Sequence, residues 1–216
     1  MFDTVIFDMD GVLVDSEIVY YQWLCQLLQR EGYKVSEKDL KKIVGLSSAQ
    51  SEQLLNELYG NGTGTALWQK YMKESEHYPL NYNDILNSGV EEILKFLQSQ
   101  HMKIGLASSS DMKEILEILD EIKLKNYFQV ILSGEMFRES KPNPEIYYET
   151  IRRLKTVPEK CIIIEDSNYG ITAAKKAGAY VIAKKEERFG FSQEEADRII
   201  TDMYEAKRVI QKLINS

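Results

Sequence analysis

Thr4-Val5-Ile6-Phe7-Asp8-Met9-Asp10-Gly11-Val12 is the stretch that decides the fold. Residues 4–7 form a short apolar, β-branched run without polar alternation, as in a strand buried on both faces of a parallel sheet. The run ends in two carboxylates two residues apart. Strand side chains repeat every two residues, so an extended backbone lasting through Asp10 would turn Asp8 and Asp10 into one space. One carboxylate is then placed to attack and the other to exchange a proton. Gly11 permits the tight turn after them. The plain alternative is a solvated loop with two surface aspartates.

Working outward, similar runs recur at 103–107, 130–132, 161–164 and 180–183, each succeeded by a helical-period segment. That alternation predicts an α/β fold: a Rossmann-like parallel sheet covered by helices on both faces. Residues 16–78 break it, reading as consecutive helices without a strand. The first carries Ile18, Tyr21, Leu24, Cys25 and Leu28 at spacings of three and four and stops near Gly32. A second opens at Ser36, with Asp39 in capping-box position. Further helices are expected at 48–59 and 65–77, separated by the flexible stretch Gly60-Asn61-Gly62-Thr63-Gly64. Pro79 to Asp84 would return the chain to the sheet. The expected division is an α/β core of residues 1–15 and 82–216 and an inserted helical domain of residues 16–81. An edge strand at 197–200 and a closing helix at 203–214 complete the core.

Ligands of open parallel sheets bind at the carboxyl ends of the strands, so the residues just beyond each run matter most. After 103–107 come Ser108-Ser109-Ser110 ahead of a helix near Asp111. Hydroxyls and unpaired N–H groups at a helix N-terminus make a phosphate cradle, although Ser110 could simply be an N-cap. After 130–132 come Ser133-Gly134-Glu135 and then Ser140-Lys141-Pro142-Asn143-Pro144, where Lys141 could neutralise a phosphate or merely be solvated. After 161–164 come Glu165-Asp166-Ser167-Asn168. Adjacent carboxylates are hard oxygen ligands suited to Mg²⁺, with N-capping by Asp166 or Ser167 as the alternative.

Composition narrows the classes. The chain has 216 residues, 44% hydrophobic and 28% charged, as in an ordinary globular protein. A net charge of −7 with no basic footprint argues against nucleic acid as partner. No segment is long and apolar enough for a membrane span, and the N-terminus enters a strand directly without a leader-like stretch, so a cytoplasmic location is expected. Cys25 and Cys161 stand far apart and are expected to be buried, reduced thiols.

The order Asp8-Met9-Asp10-Gly11-Val12, Ala107-Ser108-Ser109, Ser140-Lys141-Pro142-Asn143-Pro144 and Glu165-Asp166-Ser167 resembles the four-motif pattern of the haloacid dehalogenase superfamily. The resemblance covers essentially the whole chain. The helical insertion after the first strand is similar to the cap of the subgroup that holds β-phosphoglucomutases and sugar-phosphate phosphatases. By this resemblance Asp8 is a nucleophile forming a phospho-aspartyl intermediate and Asp10 the general acid/base. Ser108, Ser109 and Lys141 bind phosphate. Mg²⁺ is held by the Asp8 side chain, the Asp10 backbone carbonyl and Asp166, with Glu165 direct or through water. The second acid argues against a carbon–halogen substrate, since true dehalogenases lack it.

Within that subgroup, mutases typically carry a His in the first cap helix and an Arg shortly after a Gly in the next cap segment. The corresponding positions here read Tyr20 and, after Gly45, Leu46-Ser47-Ser48-Ala49-Gln50. A phosphatase of small phosphorylated metabolites, sugar phosphates foremost, is therefore expected, with a phosphosugar mutase as the alternative should Lys70 or Lys73 hold a second phosphate. A phospho-aspartyl receiver or a non-catalytic binding protein is the reading from outside enzymes. Ser16, Tyr20 and the Gly45 to Ser48 turn are candidate substrate contacts. His77 and His101 are expected at the surface, and Trp23, Tyr59, Trp68 and Tyr71 in the cap core. A monomer is the default.

Overall fold

β1 (Thr4–Phe7) buries all four of its side chains in the computed structural model, which describes residues 1–34, 36–78 and 80–215. Around it lie β2 (Lys103–Ser108), β3 (Val130–Ser133), β4 (Cys161–Glu165), β5 (Tyr180–Lys184) and a short edge strand β6 (Arg198–Ile200). All pairs are parallel and the order is β3-β2-β1-β4-β5-β6. The sheet thus turns back at β1, whose carboxyl end is flanked by those of β2 and β4. Register places Phe7 opposite both Leu106 and Ile164, so Asp8 emerges beside Ala107 and Glu165.

Alternate strand residues feed two cores, as period two requires. Val5, Phe7, Ile104, Leu106, Ile162 and Ile164 pack under α5 (Val90–Ser99), α6 (Met112–Glu121) and α9 (Met203–Asn215). Ile6, Ala107, Leu132, Ile163 and Val181 pack under α7 (Glu145–Arg153) and α8 (Asn168–Lys176). α5 shows why such helices form: Val90, Ile93, Leu94 and Leu97 at one-face spacing are all buried, and Gly89 before them takes φ 86°.

Between β1 and α5 the chain builds a helical cap of α1 (Glu17–Arg30), α2 (Glu37–Leu40), α3 (Ser48–Tyr59) and α4 (Thr63–Ser75). Its core gathers Leu24, Leu27, Leu28, Leu40, Leu55 and Leu67, together with Phe189 from the loop after β5. Several local expectations are corrected. α2 is a single turn, and Ser36 Oγ donates to the Asp39 carboxylate at 2.8 Å instead of forming a capping box. The box is at α3, between Ser47 and Gln50. α4 begins at Thr63 because the supposed flexible stretch is a packing contact. A Cβ on Gly64 would lie 2.2 Å from the Asn56 backbone nitrogen, and the Asn56 side chain accepts from the Gly62 and Thr65 N–H groups. Cys161 is buried but Cys25 only half so. His77 and His101 are exposed. Pro79, expected to open the return to the sheet, lies outside the described residues. Among those described, no helix is long and apolar enough to cross a membrane.

Candidate active site

The β1 ladder carries on to Asp8, whose N–H bonds Ile164 C=O at 3.0 Å, and the chain then turns: Leu13 N–H bonds Met9 C=O at 2.7 Å and Gly11 N–H bonds Val14 C=O at 2.7 Å. The loop is braced from a distance by Asn87, whose Nδ2 donates to the Gly11 and Val12 carbonyls, each at 3.0 Å. Gly11 takes φ 78°, and a Cβ there would sit 2.0 Å from Asp166 Oδ2. Only glycine allows this loop to lie against that carboxylate.

Asp8 is 7% exposed. Its Oδ1 accepts from Lys141 Nζ at 2.7 Å, and the same ammonium donates to Glu165 Oε1 at 2.6 Å and to Ala107 C=O at 3.0 Å. Burial alone would push Lys141 down, but the Asp8 and Glu165 charges outweigh it and hold the ammonium well above its ordinary range. Asp8 itself is pushed up to about 8 by burial and by the Glu165 charge, against the pull of Lys141. Asp10 lies close enough for its charge to act on Asp8, although the strand has ended. Its Oδ1 accepts from Ser16 Oγ at 2.5 Å and its Oδ2 from Ser110 Oγ at 2.8 Å. Burial raises the Asp10 pKa despite these bonds.

The three serines divide their work. Ser108 is fully buried and its Oγ accepts from Ser110 N–H at 3.0 Å. Ser109 lines the cavity above Asp10, and Ser110 turns its hydroxyl to Asp10 while Asp111 takes the N-cap position of α6. Ser167, not Asp166, caps α8, accepting from Gly170 N–H at 3.0 Å.

Asp8, Glu165 and Asp166 offer carboxylate oxygens within 4.8 Å of one another, all buried. Three hard oxygen donors in one pocket fit a divalent cation such as Mg²⁺. Glu165 is nearest to saturated. Its Oε1 accepts from Lys141 and from Tyr147 Oη at 2.6 Å, and its Oε2 takes Asp166 N–H, Ser167 N–H and Ser167 Oγ. Five donors crowd this carboxylate, two of them at 3.3 and 3.4 Å, so Glu165 anchors Lys141 and the start of α8 while its oxygens stay within the metal group. Among the described residues no donor claims the Asp166 carboxylate. Burial and the charges of Glu165 and Asp8 raise its pKa well above the ordinary value. The Asp10 side chain lies outside this group, which leaves its carbonyl as the atom the sequence pattern assigns.

A family model described as haloacid dehalogenase-like hydrolase matches residues 5–184. The chain belongs to the haloacid dehalogenase-like hydrolases. Within them it is 35% identical over 178 residues, 82% of each chain, to a phosphorylated carbohydrates phosphatase of Thermotoga maritima. It is 26% identical over 175 residues, 80% of this chain and 78% of the other, to hexitol phosphatase B of Escherichia coli. A β-phosphoglucomutase structure from Clostridium difficile shares the fold, with TM-score 0.82, 23% identity and coverage of 100% and 98% of the two chains.

The haloacid dehalogenase-like motifs leave several contributors unannounced. Tyr147 fixes Glu165 from α7 and Asn87 braces the loop. Buried Gln193 donates to the Asp166 and Lys184 carbonyls at 2.6 and 2.7 Å. Asn87 and Gln193 lie away from the motifs, and Tyr147, three residues past Pro144, carries no local mark of its role. Ser16 is visible in the sequence as a candidate, but for substrate rather than for Asp10. Lys70 and Lys73 do not line the cavity over Asp10, and Lys70 pairs with Glu31 at 2.6 Å. Trp23, Trp68 and Tyr71 do line it, whereas Tyr59 packs edge-on against Tyr33.

Proposed function

We propose that the protein is a Mg²⁺-dependent phosphatase of small phosphorylated metabolites, sugar monophosphates foremost, in which residues 16–81 cap a core of residues 1–15 and 82–216. The observation that carries the reading is the pairing of Asp8 with Lys141 beside an Asp10 held by two serine hydroxyls. In the first step an Asp8 carboxylate oxygen attacks phosphorus, the phosphorus–oxygen ester bond breaks, and Asp10 gives its proton to the departing alkoxide. In the second, Asp10 takes a proton from water as its oxygen attacks the aspartyl phosphate, and the bond from phosphorus to Asp8 breaks. Inorganic phosphate leaves and Asp8 is restored. Charge stays on the phosphoryl oxygens throughout, so positioning and neutralisation dominate. Lys141 supplies fixed positive charge, and Ser108 with Ser109 and the N–H groups before α6 receive phosphate oxygens. Asp8, Asp166 and the Asp10 carbonyl are the residues that would hold Mg²⁺, which when bound offsets repulsion between carboxylate and phosphate. Glu165, direct or through water, would join them, and it also holds Lys141 and the start of α8.

The test is phosphate release from a panel of sugar monophosphates with and without Mg²⁺, beside Asp8→Asn. Release by wild type with Mg²⁺, lost at least about ten-thousandfold in the variant, is expected. Variant activity within tenfold of wild type would overturn the assignment.

A further inference from the structure

The cavity that opens over Asp10, Ser109 and Ser110 has a volume of about 430 Å³ and is roofed by Trp23, Trp68 and Tyr71 of the cap. Acidic residues dominate its lining. Asp10, Glu17, Glu76, Asp111, Glu114 and Glu117 line it, and among the described lining residues Lys113 is the single cation. That ammonium is 86% exposed and faces Glu117 at 3.9 Å. A ligand whose far end carries a second phosphate dianion would meet carboxylates there with no bidentate cation to receive it.

Three elements converge on the wall of this cavity. Tyr20 of α1 donates its hydroxyl to Glu114 Oε1 of α6 at 2.9 Å, and the Tyr20 and Tyr82 hydroxyls lie 2.9 Å apart. Among the described residues no protein donor reaches Glu114 Oε2. Glu114 is half-buried at the cavity wall, so its open oxygen is an acceptor that hydroxyl groups of a ligand can satisfy. Aromatic faces from Trp23 and Trp68 suit the C–H surface of the same carbon chain.

We propose that Glu114, oriented by Tyr20 and Tyr82, is the specificity residue that reads the hydroxyl-bearing tail of a monophosphorylated polyol or sugar and turns bisphosphates away. This rests on the phosphatase reading above. The test compares the full chain with Glu114→Leu, which cannot accept a hydrogen bond, and Glu114→Lys, which reverses the charge. Substrates are a linear hexitol 6-phosphate, a hexose 1,6-bisphosphate and acetyl phosphate, which has no hydroxyl tail. Glu114→Leu is expected to lower the ratio of kcat/KM for the hexitol ester to that for acetyl phosphate at least tenfold, chiefly through KM. Glu114→Lys is expected to raise bisphosphate over hexitol ester at least tenfold, and it carries the test alone should the leucine variant lose its thermal transition. Changes below tenfold in the folded variants overturn the proposal, as does a wild type that prefers the bisphosphate. Those results would still leave acetyl phosphate hydrolysed. Silence of the wild type toward all three substrates, acetyl phosphate included, would instead bring down the phosphatase reading and the proposal with it.

Discussion

The floor of the site and its roof are built on opposite principles. On the floor, Asp8, Lys141, Glu165 and Asp166 are 7%, 2%, 0% and 3% exposed, and Lys141 alone makes three hydrogen bonds there. The roof meets the core through scattered contacts. Gln50 Nε2 reaches the Lys141 carbonyl at 3.1 Å, Tyr20 reaches Glu114, and Arg188 reaches Asp15 with both side chains about a third exposed. Buried, fully answered polar groups are costly to disturb, while exposed pairs contribute little. The chemistry is therefore held by an over-determined network and substrate selection by contacts that can come and go with each turnover.

The sharpest way to break this contrast is at Lys141. Lys141→Ala leaves Asp8 and Glu165 buried without their shared cation, so it should cost about 3–5 kcal/mol of stability and lower kcat by at least about a hundredfold. Denaturant melts and initial rates check both, and a loss in kcat below tenfold would make Lys141 a structural ion only. Gly11→Ala comes next: the added methyl would collide with Asp166 in a backbone region closed to most residues, and should cost about 1–3 kcal/mol. It should also weaken Mg²⁺ binding, read as a smaller rise in Tm on adding Mg²⁺ than in wild type. Equal Tm shifts in both proteins would separate Gly11 from the metal group. On the roof, Phe189→Leu keeps most of the apolar volume and should cost no more than about 1.5 kcal/mol, with KM rising more than kcat falls. The smallest effect is expected at the Arg188 contact from Asp15→Asn, which loses the partly exposed pair while Arg188 keeps the buried Glu186, and should change stability by under about 1 kcal/mol. A kcat loss as large as that of Lys141→Ala in either roof variant would abolish the distinction.

Legibility in the sequence divides the same way. The floor announces itself because Asp8, Ser108 and the Glu165-Asp166 pair stand at the ends of buried runs, with Lys141 in the Ser-Lys-Pro segment beyond β3, and sheet register then brings the strand ends together. Asp8, Asp10, Ser108, Lys141 and Asp166 are legible for that reason. Glu165 is legible as an acid, but its neighbours are not: Tyr147 arrives from α7, and only the fold shows that its hydroxyl donates to Glu165. Ser110 reads like a helix cap because capping and binding use the same residue type, and direction alone separates them. The Gly60 to Gly64 stretch misleads in the other direction. Composition suggests a flexible linker, whereas Gly64 is there for the close crossing of α3 and α4. Where roof meets core, Tyr20, Tyr82 and Glu114 come from three distant segments, and no periodicity links them.

Phe189 sits among the cap leucines although it lies beyond β5, and its ring meets Tyr21 edge-on with centroids 5.7 Å apart. The segment that completes the cap thus lies more than a hundred residues beyond the end of α4 in the chain. Anyone transplanting this lid onto another core, or diversifying it by recombination at the two junctions that flank it, would deliver a lid with a hole in its middle. The inheritable unit of specificity here is discontinuous, and a chimera should carry residues 186–191 along with the helices they fill.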